Sequence, residues 1–284
     1  MDFRTTMKIA GAAPVFLAAA CLISGGCDNK VAGKEPPPFR IVAKDAGFQA
    51  PVAIVAGIRH IIFENQGSEI HEAMFVRLAA DMSPDDYVAA VQRGELFPKR
   101  TQDYSGPGLT SPGKTAEMWL KLDPGQYVLI CWNSDHARTR PVHPFTVAET
   151  IVDNAVPKED VVVKLVDFKF EIEGKFRAGQ QVIRIETPGP SMHEVDFYRL
   201  HEGKTVDDLR RWRKDDGRGP APADALGGAL DSHDLKHVVW LRKTFSPGRY
   251  ALHCEMPVES GASAKSANLT HADVGMIREF VIEK

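Results

Sequence analysis

The chain of 284 residues is poor in cysteine and nearly balanced in charge. It holds four cysteines, too few for the dense disulfide framework that stabilises small exported domains. Its formal net charge is −3 and its lysines and arginines form no basic block, which argues against nucleic acid and anionic membrane surfaces as partners. Beyond the N-terminal region only Cys131 and Cys254 remain. Two isolated cysteines require an explanation other than a disulfide network, and metal ligation supplies one.

The chain also has few long apolar runs, and the most pronounced one lies close to the N-terminus. Arg4 and Lys8 precede it, it extends from Ile9 to Ile23, and small residues follow it. The run is short for a transmembrane helix and is typical of a secretory signal. We therefore expect residues 1–27 to form an export signal.

The end of this signal indicates how the protein is held after export. Small residues before Cys27 and polar residues after it resemble a bacterial lipoprotein cleavage site, so Cys27 is the candidate acylated residue. Cys21 is a rival position, and plain secretion is the alternative. Residues 28–38 are rich in proline and predict an extended tether. These features together predict a lipid-anchored protein of the bacterial periplasm or cell envelope.

The rest of the chain is a tandem repeat. Gly57 to Leu78 aligns without gaps on Gly179 to Leu200, at an offset of 122 and with nine of 22 positions identical. Cys131 aligns with Cys254 at an offset of 123, one residue more than the offset of the first segment. A period above 100 residues with one cysteine in each copy indicates a duplicated domain rather than a solenoid. The predicted domains are residues 39–148 and 149–284.

Each copy is dominated by strand signals. Runs rich in β-branched and aromatic residues alternate with glycine and proline turns, which is typical of a Greek-key sandwich. The fold prediction is therefore all-β, with two tandem Greek-key β-sandwiches. The clearest predicted strands are Val161 to Ile172, Gln181 to Glu186, Glu194 to Leu200 and Tyr250 to Cys254.

One short helix is expected in each copy. Ser83 and Thr205 each offer a hydroxyl for the N-cap, and aspartates follow in the first turn. Gly94 and Gly217 are the expected ends of these helices.

The C-terminal copy carries a set of candidate metal ligands. His193, Cys254, His271 and Met276 occur in this chain order. Two imidazoles and a thiolate form the trigonal set of a type 1 copper site, and a weak thioether takes its axial position. Soft sulfur ligands suit Cu(I) while imidazole suits both oxidation states, so such a site transfers single electrons. The sequence predicts one type 1 copper in this domain.

The order and spacing of these residues resemble the cupredoxin family. The resemblance is closest to the type 1 domain of copper nitrite reductases, where His-Cys precedes a loop ending in His-x-x-x-Gly-Met and the upstream ligand lies in His-Asn-x-Asp-Phe-His. In this chain the last motif reads His193-Glu-Val-Asp-Phe-Tyr198. Tyr198 stands where the family has the histidine of a catalytic type 2 copper. The loop from Cys254 to His271 is also longer than that family would lead us to expect.

The N-terminal copy matches the same pattern only in part. His71, Cys131 and His136 occupy the corresponding positions, whereas Pro141 stands where the axial methionine belongs. We expect a degenerate, structural copy. The alternatives are a three-ligand site or a site with a substitute ligand such as His143.

The predicted function is single-electron transfer between redox protein partners through the copper of the C-terminal domain. A second hypothesis is a multicopper enzyme that resembles nitrite reductase, which Tyr198 disfavours. A third is a metal-free binding or scaffold module, or a copper-delivery protein. A buried cysteine, histidine or methionine alone is more often core packing than a ligand, so the hypothesis depends on the joint order of all four.

Overall fold

The structure is a computed structural model that describes residues 35–232, 237–258 and 269–284. Strands dominate both halves. In the N-terminal half the elements are β1 (Phe39–Lys44), β2 (Gly47–Gln49), β3 (Ala53–Asn65), β4 (Met74–Leu78), α1 (Pro84–Gln92), β5 (Thr101–Asp103), β6 (Thr115–Leu122), β7 (Gly125–Ile130), α2 (His136–Thr139) and β8 (His143–Ile151). In the C-terminal half they are β9 (Val161–Val166), β10 (Lys169–Glu173), β11 (Gly179–Glu186), β12 (Val195–Leu200), α3 (Val206–Lys214), β13 (Ala223–Ala229), β14 (Val238–Phe245), β15 (Gly248–His253) and β16 (Ile277–Ile282).

Each half folds into two facing layers with the same strand order. In the N-terminal half one layer is β2-β1-β3-β6 and the other is β5-β4-β7-β8, with the start of β3 also pairing with β8. The C-terminal half repeats this as β10-β9-β11-β14 and β13-β12-β15-β16. Side chains alternate between the core and solvent, as in β1, where Phe39, Ile41 and Ala43 are buried. The prediction of tandem β-sandwiches is confirmed.

The two predicted helices are present, each with a capping box. The Ser83 hydroxyl accepts from the Asp86 amide at 3.1 Å, and the Thr205 hydroxyl accepts from the Asp208 amide at 3.2 Å. The single turn α2 was not predicted, and it carries the candidate ligand His136.

One predicted strand is in fact a hairpin. The apolar run from Val161 to Ile172 breaks at Asp167 and Phe168, and the chain reverses there between β9 and β10. Phe168 has φ 59°, a left-handed backbone conformation. A run of β-branched and aromatic residues does not show where such a turn occurs. The reversal exposes Phe168 and brings the Asp167 carboxylate to the end of the sandwich where His193 lies.

A strand pairing joins the two sandwiches. The facing edge strands β6 and β14 are antiparallel neighbours, with Trp119 opposite Trp240, so a twelve-stranded sheet runs through both halves. Arg242 lies over the Trp119 ring at 4.7 Å and donates to Glu117 at 2.6 Å. Because of this pairing Glu35–Lys284 form one compact unit, and the domain boundary between residues 148 and 149 stays a prediction.

The predicted export signal, Cys27 and the first part of the tether lie outside the described residues. Within the described part of the chain, none of the helices has the length and apolar character that a membrane span requires.

Candidate metal centres

The C-terminal donors meet at one end of the sandwich. β12 and β15 are neighbours with Asp196 opposite His253, which places His193, just before β12, beside Cys254, just after β15. His193 Nδ1 lies 2.9 Å from His271 Nδ1, and Cys254 Sγ lies 3.5 Å from the same His271 atom. All three residues are buried, and their donor atoms form a group that could hold a metal ion. The three predicted equatorial residues therefore come together.

The loop that carries His271 and Met276 is tied to the cysteine strand. The Cys254 amide donates to the Met276 carbonyl at 3.2 Å, and the Met276 amide donates to the His271 carbonyl at 2.8 Å. The Met276 side chain is fully buried in the same apolar cluster as Cys254. Gly275 has φ 116°, which only glycine adopts readily, so the turn before Met276 requires it.

The length of the loop after Cys254 does not displace His271. Residues 259–268 lie outside the described part of the chain, but the two ends of the loop pair with each other. The His271 amide donates to the Met256 carbonyl at 2.8 Å, and the Val258 amide donates to the Leu269 carbonyl at 2.8 Å. Because its ends are paired, the extra length costs little closure entropy at the ligand.

The donor spacing fits a trigonal metal ion. Bonds of about 2.0 Å to nitrogen and about 2.3 Å to sulfur place trigonal donors about 3.5 to 3.7 Å apart. The Cys254–His271 distance of 3.5 Å meets this condition, while the two Nδ1 atoms at 2.9 Å need to separate by about 0.6 Å. Burial raises the pKa of the Cys254 thiol well above its ordinary value and lowers that of His271 to about 4. The imidazole is therefore neutral and ready to coordinate, and a bound metal would displace the thiol proton.

The N-terminal donors assemble in the same way. Cys131 Sγ lies 3.4 Å from His136 Nδ1 and 3.9 Å from His71 Nδ1, and all three residues are buried. Pro141 lines a void of about 10 Å³ together with these three residues. The geometry therefore does not distinguish an active site from a degenerate one, and the preference for the C-terminal site stays a prediction. His143 lies outside the group, with Nε2 at 3.4 Å from the Pro51 carbonyl oxygen.

An outer carboxylate orients the first histidine of each site. His193 Nε2 lies 2.9 Å from Asp167, and His71 Nε2 lies 3.2 Å from Asp45. A carboxylate on the outer nitrogen fixes the ring orientation and leaves Nδ1 to face the metal. Sequence reasoning missed both aspartates, although they obey the repeat offset of 122.

A second carboxylate connects the two ligand strands in each half. The Glu72 carboxylate accepts from the Trp132 amide at 2.9 Å, and the Glu194 carboxylate accepts from the Glu255 amide at 2.9 Å. Each bond joins the residue after the first histidine to the residue after the cysteine. Burial, aided by the charge of Asp196, raises the pKa of Glu72 to about 8. In the resembled family an asparagine takes this position, so a glutamate here is a departure.

The surfaces above the two sites differ in character. In the N-terminal half, Glu69 lies 3.1 Å from His136 Nε2 and also pairs with Arg140, so charged groups cover the site. In the C-terminal half, the Phe168 ring lies 4.9 Å from His271, edge to face, and is 38% exposed. Val274 nearby is 44% exposed. The C-terminal site therefore lies beneath an apolar surface.

Tyr198 occupies the position that a type 2 copper ligand has in the resembled family, and no group of metal donors surrounds it among the described residues. Its ring lies 6.0 Å from that of His253, both side chains are buried, and the Tyr198 hydroxyl has no hydrogen-bond partner among the described residues. His253 points away from Cys254 toward Glu255, whose Oε1 lies 3.6 Å from its Nδ1. Within residues 35–232, 237–258 and 269–284, no group of three metal donors includes His253.

Comparison with family models and with curated proteins found no match. Among solved structures, the chain is similar to a reduced auracyanin from the photosynthetic bacterium Roseiflexus castenholzii, at 16% identity and a TM-score of 0.30, over 40% of this chain and 99% of that one. It is similar to a multicopper oxidase at 13% identity and a TM-score of 0.24, over 87% of this chain and 88% of that one. A copper-containing nitrite reductase from Thermus scotoductus is similar at 13% identity and a TM-score of 0.25, over 87% of this chain and 61% of that one.

The identities and TM-scores of these neighbours are too low to carry an argument about chemistry, which therefore depends on the residues of this chain. Those residues form cupredoxin-like sandwiches with a His-Cys-His group at the end of each.

Proposed function

We propose that this protein is an exported copper protein that transfers single electrons through a type 1 centre in its C-terminal half. The observation that carries the proposal is the convergence of His193, Cys254 and His271, all buried, at donor distances of 2.9 and 3.5 Å. Bound copper would supply a one-electron couple, with Met276 as the weak fourth ligand.

The chain's own residues favour fast electron exchange by keeping the ligands fixed. Asp167 orients His193, Glu194 joins the two ligand strands, and paired loop ends hold His271. Ligands that are fixed before and after the change in charge reorganise little. The burial of Cys254 at 0% exposure also excludes water from the thiolate.

The apolar surface above His271 supports a protein redox partner. Phe168 and Val274 are exposed next to a ligand that is itself only 4% exposed. An apolar patch over a metal ligand allows a partner to approach closely without the desolvation of charged groups. One copper per chain is proposed, because Met276 completes a four-ligand set only in this half.

Copper titration of the full-length mature chain tests this function. We expect an intense visible thiolate-to-copper band that saturates at one copper, disappears with ascorbate and returns with ferricyanide. A protein that binds copper without such a band, or that the reductant does not bleach, would support storage or delivery instead. Sustained nitrite consumption with a reduced donor would support the enzyme hypothesis.

The proposed location is the bacterial cell envelope, with Cys27 as the lipid attachment site. Its support is the N-terminal sequence pattern alone. A Cys27→Ser variant is expected to leave the membrane fraction, because the acyl chains supply the hydrophobic attachment. Equal retention of the variant in that fraction would contradict lipidation at this residue.

A further inference from the structure

A cavity of about 260 Å³ lies between the two halves, and its wall includes none of the candidate ligands. Residues adjacent to ligands nevertheless contribute to it from both repeats. Glu72 and Trp132 come from the N-terminal half, and Glu194 and Glu255 come from the C-terminal half. The proposed electron transfer gives this cavity no role.

Most of the wall is apolar. Leu96 and Phe97 belong to it and are 56% and 40% exposed, so apolar side chains also form its opening. A wall of this kind suits the hydrocarbon part of a small ligand, because such sites are mostly apolar with a few polar groups that fix orientation. The buried apolar members of the wall are Met74, Leu109, Leu230 and Met256.

The polar part of the wall includes a pair of buried carboxyl groups. Asp103 and Asp231 both line the cavity, and each is only 5% exposed. Asp231 Oδ2 has no hydrogen-bond partner among the described residues. A buried acceptor without a partner is costly, so a donor in the cavity would be stabilised there. Burial raises the pKa of Asp231 to about 6, and burial together with the charge of Asp231 raises that of Asp103.

The charge of the wall selects the kind of donor. Five acidic side chains line the cavity, and Arg213 is the one lysine or arginine among the described lining residues. Arg213 is already engaged with Glu255 and with Asn133. An anion would therefore meet an excess of carboxyl groups. A metal ion is also disfavoured, because every group of three metal donors in the described residues lies elsewhere.

We propose that this cavity binds a small organic cation, a protonated primary amine attached to an apolar body. The ammonium group would donate a hydrogen bond to the buried, unpartnered Oδ2 of Asp231. The body would pack against Met74, Leu109 and Met256.

Calorimetric titration of the full-length mature chain with benzylamine tests the proposal. The protein is treated with a chelator, so that coordination of the amine to copper does not contribute. We expect binding at one site per chain, and an affinity at least tenfold lower for benzyl alcohol and benzoate, which keep the ring but lose the charge or reverse it. In Asp231→Asn the affinity for benzylamine should fall about tenfold or more, because a charge-assisted hydrogen bond is lost.

The matched control is Asp85→Asn, which removes an exposed carboxylate at the start of α1 and should leave the affinity unchanged. Thermal unfolding shows whether each variant remains folded. The proposal is overturned if benzylamine binds wild type and Asp231→Asn equally, if benzoate binds as tightly as benzylamine, or if only inorganic cations bind. None of these outcomes bears on the copper band, so this proposal and the proposed function can fail separately.

Discussion

Replacing Cys254 with alanine is expected to remove the intense visible band of the copper-loaded protein completely. The band requires a thiolate bound to copper, and Cys254 is the sulfur that lies 3.5 Å from His271 in the C-terminal group. Loss of an outer partner of a ligand already costs about 10- to 100-fold in metal affinity, so loss of a ligand itself should cost more. Absorption and copper titration of the full-length variant measure both effects.

Cys131→Ala is the matched control for this prediction. Cys131 lies in the equivalent position of the other repeat, is also buried, and has its Sγ 3.4 Å from His136 Nδ1. We expect its variant to keep the band and the stoichiometry of one copper. If the band disappears in Cys131→Ala and survives in Cys254→Ala, the wrong repeat has been assigned. If each variant removes about half of it, both repeats bind copper.

Arg213→Met is expected to lower the free energy of unfolding by about 3–5 kcal/mol, since it breaks a largely buried ion pair and leaves an unpaired carboxylate. Arg213 on α3 pairs with Glu255 through two nitrogens, and the two side chains are only 14% and 20% exposed. It also donates to Asn133 in the other half at 3.2 Å. Burial would raise the pKa of Glu255, yet Arg213 keeps it below its ordinary value. Chemical denaturation of the full chain measures the change.

Arg210→Met one turn earlier serves as the comparison. Arg210 pairs with Asp207 on the same helix at 2.9 Å, and its side chain is 41% exposed. Its loss should cost less than about 1 kcal/mol, as is usual for surface ion pairs. Equal effects of the two substitutions would show that the interaction of Arg213 with Glu255 contributes no more than a surface pair.

The sequence predicted the parts of this protein that depend on local pattern and on repetition. Alternating apolar residues indicated the strands, and Ser83 and Thr205 marked the helices because capping acts over three residues. The order of His193, Cys254 and His271 indicated the donor group, since ligands at strand ends meet wherever those strands are neighbours. In the structure the donor atoms of these three residues lie together, and their role as copper ligands stays a prediction.

Features that depend on contacts between distant segments were not predicted. The outer aspartates Asp45 and Asp167 lie 26 residues before their histidines, in turns that carry no metal motif. The hairpin at Phe168 interrupts an apolar run that has no glycine or proline. The cavity near Asp231 exists only because the two sandwiches meet. The residue pattern within a single repeat carries no information about that contact.

The pairing of β6 with β14 has a consequence for the origin of the chain and for work with its parts. These strands occupy equivalent positions in the two repeats, so the sheet pairs with its own copy across an approximate twofold axis. An ancestor with a single repeat would have presented the same edge on every molecule, which is the geometry of a symmetric homodimer. Expressing the halves separately would expose the unpaired backbone groups of β6 on one fragment and of β14 on the other. Exposed strand edges of this kind promote aggregation. Because both halves belong to one polypeptide, the pairing of these edges does not depend on protein concentration.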